Sequence, residues 1–293
     1  FTLNGFATRN YGHHGSYCGL AFRMGSGAVM NDLGANAHVK PDIQNARFIM
    51  YIGTAPSQAG NPFKRQGRLI AKARAEGTLE YVVVDPALNA AASHAADHNR
   101  WVPIRPGTDS AFAMAIIQWL LDNEGYARAF LELPGKAAAD AAGEATHSNA
   151  THLVIDTQDH PRRGHFLMAS DLGLAEAGSD ADAPLVVVDG ELIHVEEAMA
   201  AELFVDREVE LAGSSEGPGS TVRVKSSMTL LRESANEYDL ATYAEHCGIP
   251  EATIVELAER YASHGRRAVV NCHGGMMSGN GFYAAFAVQM LNL

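Results

Sequence analysis

Short apolar runs alternate with amphipathic stretches through the first half of the chain. Predicted strands occupy 47–52, 81–84 and 101–104, and predicted helices occupy 63–76 and 110–123. Repeated strand–helix units predict a parallel sheet, because each helix carries the chain back to the same end of the sheet. Pro103 lacks an amide hydrogen, so the third run is expected at a sheet edge or a strand end.

The pattern changes after about residue 150. Apolar runs at 185–188 and 191–195 flank Asp189-Gly190, a two-residue turn typical of a β-hairpin. A strand at 268–271 then returns the chain to the α/β pattern. The predicted fold class is α/β, a parallel Rossmann-like sheet flanked by helices with a β-rich insert. The predicted regions are 1–150 (α/β), 151–236 (β-rich insert) and 237–293 (a returning α/β segment, cut short).

Composition narrows the possible functions. Apolar residues make up 47% and charged residues 19% of the 293 residues, so the chain can bury a core. The 34 acidic and 22 basic residues give a net charge of −12, which argues against nucleic acid as a partner. No apolar run approaches roughly 20 residues, so no direct membrane span is expected. The cysteines lack the spacing of a zinc site, and Cys247 and Cys272 are predicted core residues.

Three loops follow predicted strands and should meet at the carboxyl edge of the sheet, where nucleotides bind in open parallel sheets. They are 53–62, 85–89 and 105–109. Small residues in the first loop allow backbone amides to approach a phosphate. Asp85 is placed to accept from ribose hydroxyl groups, and Asp109 from the N1–H and 2-amino groups of guanine. The alternative is local: Thr108 or Asp109 caps a helix, and Pro86 and Pro106 form turns.

Basic residues follow the first loop, in the opening turns of the next predicted helix. Lys64, Arg65 and Arg68 oppose the helix dipole there unless an anion binds, and a solvated basic face is the alternative. The loop lacks the GxGxxG pattern of nicotinamide-binding proteins, and the chain has no Walker A motif. A nucleotide must therefore be held by another arrangement.

An ordered set of motifs gives the chain a resemblance to a known family. The motifs are Gly53-Thr54 with Gly60-Asn61-Pro62, Val82-Val83-Val84-Asp85-Pro86, and Trp101-Val102-Pro103-Ile104-Arg105-Pro106-Gly107-Thr108-Asp109. Together they resemble the molybdopterin oxidoreductases of the dimethyl sulfoxide reductase family over about 18–132, with a fainter match over 254–293. The segments 60–66 and 149–155 resemble the catalytic subunits of its tetrathionate reductase branch.

The resemblance implies a molybdenum-bis(molybdopterin guanine dinucleotide) cofactor and assigns residues to it. Cys18 takes the place of the protein ligand to molybdenum, and a thiolate is a soft ligand suited to this metal. Cofactor contacts would come from Gly53, Thr54, Pro56, Gln58, Asp85, Pro86, Gly107 and Asp109, with a second contact at Gly274 and Gly275. His13 and His14 precede Cys18 and are either proton donors over the substrate or hydrogen-bonded structural residues. Arg9 and Arg23 are open to the same two interpretations, as attractors of a small anionic substrate or as structural residues.

The implied activity is a molybdenum-dependent reductase of a sulfur oxyanion, converting tetrathionate to thiosulfate in anaerobic respiratory electron transfer. Alternatives are reduction of arsenate, selenate, polysulfide or thiosulfate, or a non-catalytic electron-transfer subunit that resembles the family. The resemblance also implies a [4Fe–4S] cluster in a segment preceding Phe1. Expected partners are a quinol-oxidising membrane anchor and an iron–sulfur electron-transfer subunit. The expected location is the periplasm or the outer face of the cytoplasmic membrane, reached by the twin-arginine route.

Overall fold

The computed structural model describes residues 2–9, 19–32, 40–58, 63–88, 100–212 and 220–293. The strands, in chain order, are β1 (Phe48–Ile52), β2 (Glu80–Val84), β3 (Arg100–Val102), β4 (Leu153–Ile155), β5 (Leu185–Val188), β6 (Glu191–His194), β7 (Asp206–Glu210), β8 (Thr221–Ser226) and β9 (Ala268–Cys272). The helices are α1 (Thr2–Gly5), α2 (Leu20–Met30), α3 (Phe63–Ala75), α4 (Asp109–Asp122), α5 (Arg128–Leu131), α6 (Lys136–Ala142), α7 (Ser227–Ala235), α8 (Leu240–Cys247), α9 (Glu251–His264) and α10 (Gly281–Met290).

The chain divides into two compact units. Unit 1 comprises Phe1–Gly125 and Tyr238–Leu293, and unit 2 comprises Tyr126–Glu237. The first boundary lies earlier than the predicted 150/151, because the segment after Tyr126 bonds to the β-rich part. The amide of Ala201 donates to the carbonyl oxygen of Glu132 at 2.9 Å, for example.

Unit 1 contains a four-stranded sheet in the order β3-β2-β1-β9, and every neighbouring pair is parallel. This confirms the predicted α/β class. The five residues of β1 are fully buried, as expected for a central parallel strand covered on both faces. Strand β3 lies at the edge of the sheet and ends before Pro103, in agreement with the sequence pattern.

Alternate residues of β1 reach opposite faces of the sheet. Ile49 and Tyr51 pack in a cluster that includes Ile70 of α3. On the other face, the Phe48 ring stacks on His264 of α9, with ring centroids 5.5 Å apart. Helices on both faces thus bury the strands, and the carboxyl edge of the sheet is left to the loops.

Helices α2 and α10 pack with an unusually close backbone approach. A Cβ atom added to Gly25 would lie 2.6 Å from the Cβ of Ala285, and one added to Gly281 would lie 3.1 Å from the Cβ of Ala21. Ala21 and Gly281 meet near the start of each helix, and Gly25 and Ala285 meet one turn later in each. Helices α2 and α10 therefore run in the same direction and begin at the same end. Within the described ranges, no helix combines the length and apolar character needed to cross a bilayer.

Unit 2 contains the antiparallel sheet β4-β8-β7 and the β5–β6 hairpin. The hairpin prediction is confirmed, because Val188 pairs with Glu191 across the turn. Asp189 and Gly190 have φ values of 51° and 81°. Positive φ at both central residues matches the right-handed twist of the strands, which is why an Asp-Gly pair favours this turn.

A buried histidine lies in unit 2. His152 is 8% exposed, its Nε2 donates to the carbonyl oxygen of Pro134 at 2.8 Å, and its ring meets the edge of Phe166. Burial lowers the pKa of His152 below its ordinary value, because the charged ring loses its hydration.

We therefore expect unit 2 to lose stability as the pH falls below about 6.5, since the unfolded chain then binds a proton that the folded chain resists. Urea denaturation should show a lower free energy of unfolding at about pH 5.5 than at about pH 7.5. The decrease should be smaller in His152→Gln. The exposed His165 provides the control, because His165→Gln should retain the wild-type decrease. Equal decreases in the wild type and His152→Gln would contradict this explanation.

Candidate functional site

The candidate site lies where the order of the sheet reverses, between the carboxyl ends of β1 and β9. The chain proceeds from β1 to β2 and β3 on one side, and β9 joins β1 on the other. Diverging connections at such a point open a crevice in which ligands of α/β proteins bind. The loops that begin at Gly53 and at His273 form its two sides.

These two loops touch through glycine backbone. The amide of Gly275 donates to the carbonyl oxygen of Gly53 at 2.6 Å. A Cβ atom at either position would lie 2.6 Å from the Cα of the other residue, and Gly53 also has a φ of +57°. Both positions therefore require glycine, and the backbone at the crevice is uncovered by side chains.

Asp109 lies beside this contact, in the first turn of α4. It is 5% exposed, and its Oδ1 is 3.6 Å from where a Cβ of Gly53 would be. Burial raises the pKa of Asp109, and the nearby Asp85 acts in the same direction, whereas a backbone hydrogen bond at the helix start opposes them. Thr108 is the N-cap residue, but its hydroxyl donates to the carbonyl oxygen of Arg105 at 2.7 Å and makes no capping bond. The carboxylate of Asp109 is thus a buried acceptor next to the crevice.

The rest of the first loop adds a buried hydroxyl. Thr54 is 4% exposed, and its Oγ1 has no hydrogen-bond partner among the residues that the structure describes. Pro56 is buried and Gln58 is exposed, with the Gln58 amide closing a turn onto the carbonyl oxygen of Ala55 at 3.1 Å. A buried polar atom without a partner is costly, so the Thr54 hydroxyl is suited to bond a ligand or a water molecule at the crevice.

The two other predicted loops have local roles as well. The Oδ1 of Asp85 accepts from the amide of Ala87 at 2.9 Å, so this carboxylate stabilises a turn. Pro86 is exposed. Gly107 has a φ of +79°, and its carbonyl oxygen accepts from the Nδ2 of Asn280 at 3.0 Å.

Helix starts converge on this edge of the sheet. The bond between Asn280 and Gly107 joins the residues that precede α10 and α4, so these two helices begin side by side. Helix α2 begins at the same end as α10. Helix N-termini carry partial positive charge and N–H groups outside the helical bonding pattern, which favour a bound anion.

Two cations lie near the β9 loop. The Nζ of Lys40 is 5.8 Å from the centroid of the Phe22 ring, and that ring is 5.1 Å from the ring of His273. Burial lowers the pKa of Lys40, and Arg23 lowers it further by charge repulsion. The Nε of Arg23 is buried without a partner among the described residues. This pair of like charges adds to the preference of the edge for an anion.

Several predicted residues are placed elsewhere or lie outside the described residues. Arg9 is exposed, and so are Arg65 and Arg68 on α3. Arg68 lines an open surface cavity of about 570 Å³ with Ser57. The predicted metal ligand Cys18, the pair His13 and His14, the loop residues 59–62, and Asn89 lie outside the described residues, as does the side chain of Lys64. The roles of Cys18 and His14 therefore stay predictions.

Sequence reasoning missed Lys40, Asn280 and a buried amide pair. The pair joins α3 to β9, because the Nδ2 of Asn271 donates to the Oε1 of Gln66 at 3.4 Å. The sequence does mark Asn280 as the start of a helix, since an asparagine directly before an apolar helical stretch is typical of an N-cap position. Cys247 and Cys272 are buried as predicted, and burial raises the pKa of Cys272 to about 12.

Comparison with known proteins identifies the family. The profile described as "Molybdopterin oxidoreductase" matches residues 2–169, so the chain belongs to the molybdopterin oxidoreductase family. This confirms the resemblance read from the sequence.

Its relatives include reductases of sulfur and selenium oxyanions. The chain is 47% identical over all 293 residues to one subunit of the tetrathionate reductase of Salmonella typhimurium, and it covers 28% of that relative. It is 33% identical over 98% of its length to the corresponding protein of Archaeoglobus fulgidus, and 32% identical over 86% to one subunit of the selenate reductase of Mesobacillus selenatarsenatis. The chain spans 24% and 23% of these two relatives.

A solved structure supports the fold. Acetylene hydratase from Pelobacter acetylenicus superposes with a TM-score of 0.53 over 94% of this chain and 24% of its own, at 15% identity.

Membership of the family indicates a molybdenum–pterin cofactor, and the crevice fits the phosphate-bearing end of such a group. Gly53 and Gly275 keep side chains away from this point of the crevice, and Thr54 supplies a buried hydroxyl without a partner among the described residues. Helix starts and the Arg23–Lys40 pair supply positive potential. Each feature suits an anionic ligand.

The glycine contact gives a direct test of the crevice geometry. Gly275→Ala should destabilise the protein by about 1–3 kcal/mol, because the new Cβ would overlap the Gly53 backbone. Gly274→Ala is the matched control, since apart from its chain neighbours the nearest described atom to its Cβ would be the carbonyl oxygen of Gly53, 3.7 Å away. Thermal denaturation of both variants measures the difference. Equal melting temperatures for the two variants would show that the loops do not touch as described.

Proposed function

We propose that the chain is part of a molybdenum-dependent reductase that cleaves a sulfur oxyanion, with tetrathionate as the substrate. The observation that carries this proposal is the 47% identity to a tetrathionate reductase, which extends over all 293 residues. Selenate is the second candidate substrate, supported by 32% identity over 86% of the chain. Arsenate, polysulfide and thiosulfate are further outcomes of the substrate test.

The nucleotide form of the cofactor is the next part of the proposal. We place a guanine dinucleotide at the crevice, with its phosphates near Gly53, Thr54 and Gly275 and its base against Asp109. A buried carboxylate can accept two hydrogen bonds from the N1–H and 2-amino groups of guanine. Asp85 directly follows β2 at the same edge of the sheet, where a carboxylate suits a ribose hydroxyl group.

The protein's own residues then prepare the reaction. Cys18 would bind the metal as a thiolate, and His14 would hold a proton near the substrate. Arg23 and Lys40 would raise the local concentration of a doubly charged anion. When bound, the molybdenum cofactor supplies the two electrons that split the central S–S bond of tetrathionate into two thiosulfates.

The cellular context follows from the same assignment. We propose a [4Fe–4S] cluster that relays electrons to molybdenum, a quinol-oxidising membrane anchor and an iron–sulfur partner subunit. Anaerobic respiration at the outer face of the cytoplasmic membrane, after export by the twin-arginine route, belongs to this proposal as well.

The guanine assignment predicts a nucleotide preference. Full-length protein free of its cofactor should bind GDP at least tenfold more tightly than IDP, which lacks the 2-amino group, because hydrogen bonds to charged groups are worth about 1.5–3 kcal/mol. Isothermal titration calorimetry measures both affinities. Asp109→Asn should bring the ratio of GDP affinity to IDP affinity close to one.

Asp85→Asn is the matched control for this measurement. It should weaken GDP and IDP equally, since both carry the same ribose. A wild type without preference, or an Asp109→Asn variant that keeps it, would contradict the placement of guanine at Asp109.

The reductase proposal itself is tested with full-length enzyme purified without oxygen. Metal analysis should find equimolar molybdenum, and a reduced dye should be oxidised fastest with tetrathionate among tetrathionate, thiosulfate, polysulfide, arsenate and selenate. Cys18→Ala should lose at least tenfold in rate, because the metal loses its protein ligand. Absence of molybdenum would favour the non-catalytic electron-transfer subunit instead, and faster turnover of selenate would replace the proposed substrate.

A further inference from the structure

A hydrogen-bonded bridge joins the loop that begins at His273 to the loop that precedes α4. The Nδ2 of Asn280 donates to the carbonyl oxygen of Gly107 at 3.0 Å, and the hydroxyl of Ser278 lies 2.6 Å from the Oδ1 of the same amide. Asn280 and Ser278 follow β9, whereas Gly107 follows β3 and comes two residues before Asp109. The bridge therefore connects the loop of one crevice side to the start of α4.

The amide of Asn280 does not serve its own helix. Asn280 is the N-cap residue of α10, where asparagine side chains usually accept from an amide of the first turn. Here the side chain makes no capping bond and turns to Gly107 instead. The helix behind it is anchored independently, because Ala284, Ala285 and Val288 are buried.

The hydrogen bond from Asn280 to Gly107 affects Asp109, because Gly107 lies two residues before it. Gly107 has a φ of +79°, and apart from its two chain neighbours no described residue has an atom within 4 Å of the place where its Cβ would be. The amide of Thr108 closes this turn onto the carbonyl oxygen of Arg105 at 3.3 Å, and the open space beside Gly107 leaves room for its peptide group to reorient when the bond from Asn280 is absent. The bond from Asn280 fixes the carbonyl group immediately before the turn of α4 that presents the Asp109 carboxylate.

We propose that Asn280, oriented by Ser278, is a positioning residue that holds Asp109 at the angle needed to read the guanine base. This inference rests on the proposed guanine dinucleotide in the crevice. In this proposal Asn280 does not bind the base itself and acts through the Gly107–Asp109 backbone. A shift of the carboxylate weakens the two hydrogen bonds to guanine, and the diphosphate contacts at Gly53 and Thr54 are unaffected.

The test measures the ratio of GDP to IDP affinity in the full-length, cofactor-free protein. Asn280→Ala should reduce this ratio about three- to tenfold, which is the value of one hydrogen bond. Asn280→Asp should reduce it similarly, because a carboxylate keeps the shape and the N-cap character but cannot donate to Gly107. The charge it adds affects both nucleotides equally and cancels in the ratio. Ser278→Ala should give a smaller reduction.

Stability and the Asp109 variant separate the possible outcomes. Melting temperatures of the Asn280 variants should stay near the wild-type value, since the bridge is exposed. If Asp109→Asn abolishes the preference but Asn280→Ala leaves it unchanged, or weakens both nucleotides equally, the positioning role is wrong and the guanine site stands. If the wild type shows no preference, both the guanine site and the positioning role are wrong.

Discussion

The close approach of two glycine residues at the sheet edge is the constraint on which the site depends. Gly53 directly follows β1 and Gly275 lies in the loop after β9, and their backbones touch where the order of the sheet reverses. No side chain fits between them, so the Gly275 amide reaches the Gly53 carbonyl oxygen directly and the two loops are held together at the crevice. The surrounding features, a buried carboxylate, a buried hydroxyl and converging helix starts, are arranged around this contact.

The electrostatics of the edge are mixed in a way that suits a molecule with both anionic and hydrogen-donating parts. Helix starts and the pair of Arg23 and Lys40 favour negative charge. Asp109 opposes it and keeps a raised pKa because it is buried. A ligand with phosphates at one point and N–H donors at another would satisfy both, whereas a simple anion would satisfy only one.

Much of the fold could be predicted from the sequence, because its strands, helices and hairpin turn are determined by local residue patterns. Apolar runs bounded by glycine and proline predicted the parallel strands, and Asp189-Gly190 predicted the hairpin through its need for positive φ. The contact between Gly53 and Gly275 could not be foreseen, since no periodicity reports a pairing across more than two hundred residues. The place of the segment after Tyr126 in unit 2 likewise depends on tertiary hydrogen bonds, such as that between Ala201 and Glu132.

The most direct measurement of the central claim is an experimental structure of the full-length protein with its cofactor bound. The account predicts a guanine whose N1–H and 2-amino groups lie within hydrogen-bond distance of the Asp109 carboxylate, phosphates against the Gly53–Gly275 contact, and the Cys18 sulfur on the metal. A cofactor bound away from the carboxyl ends of β1 and β9, with Asp109 facing no ligand, would contradict it.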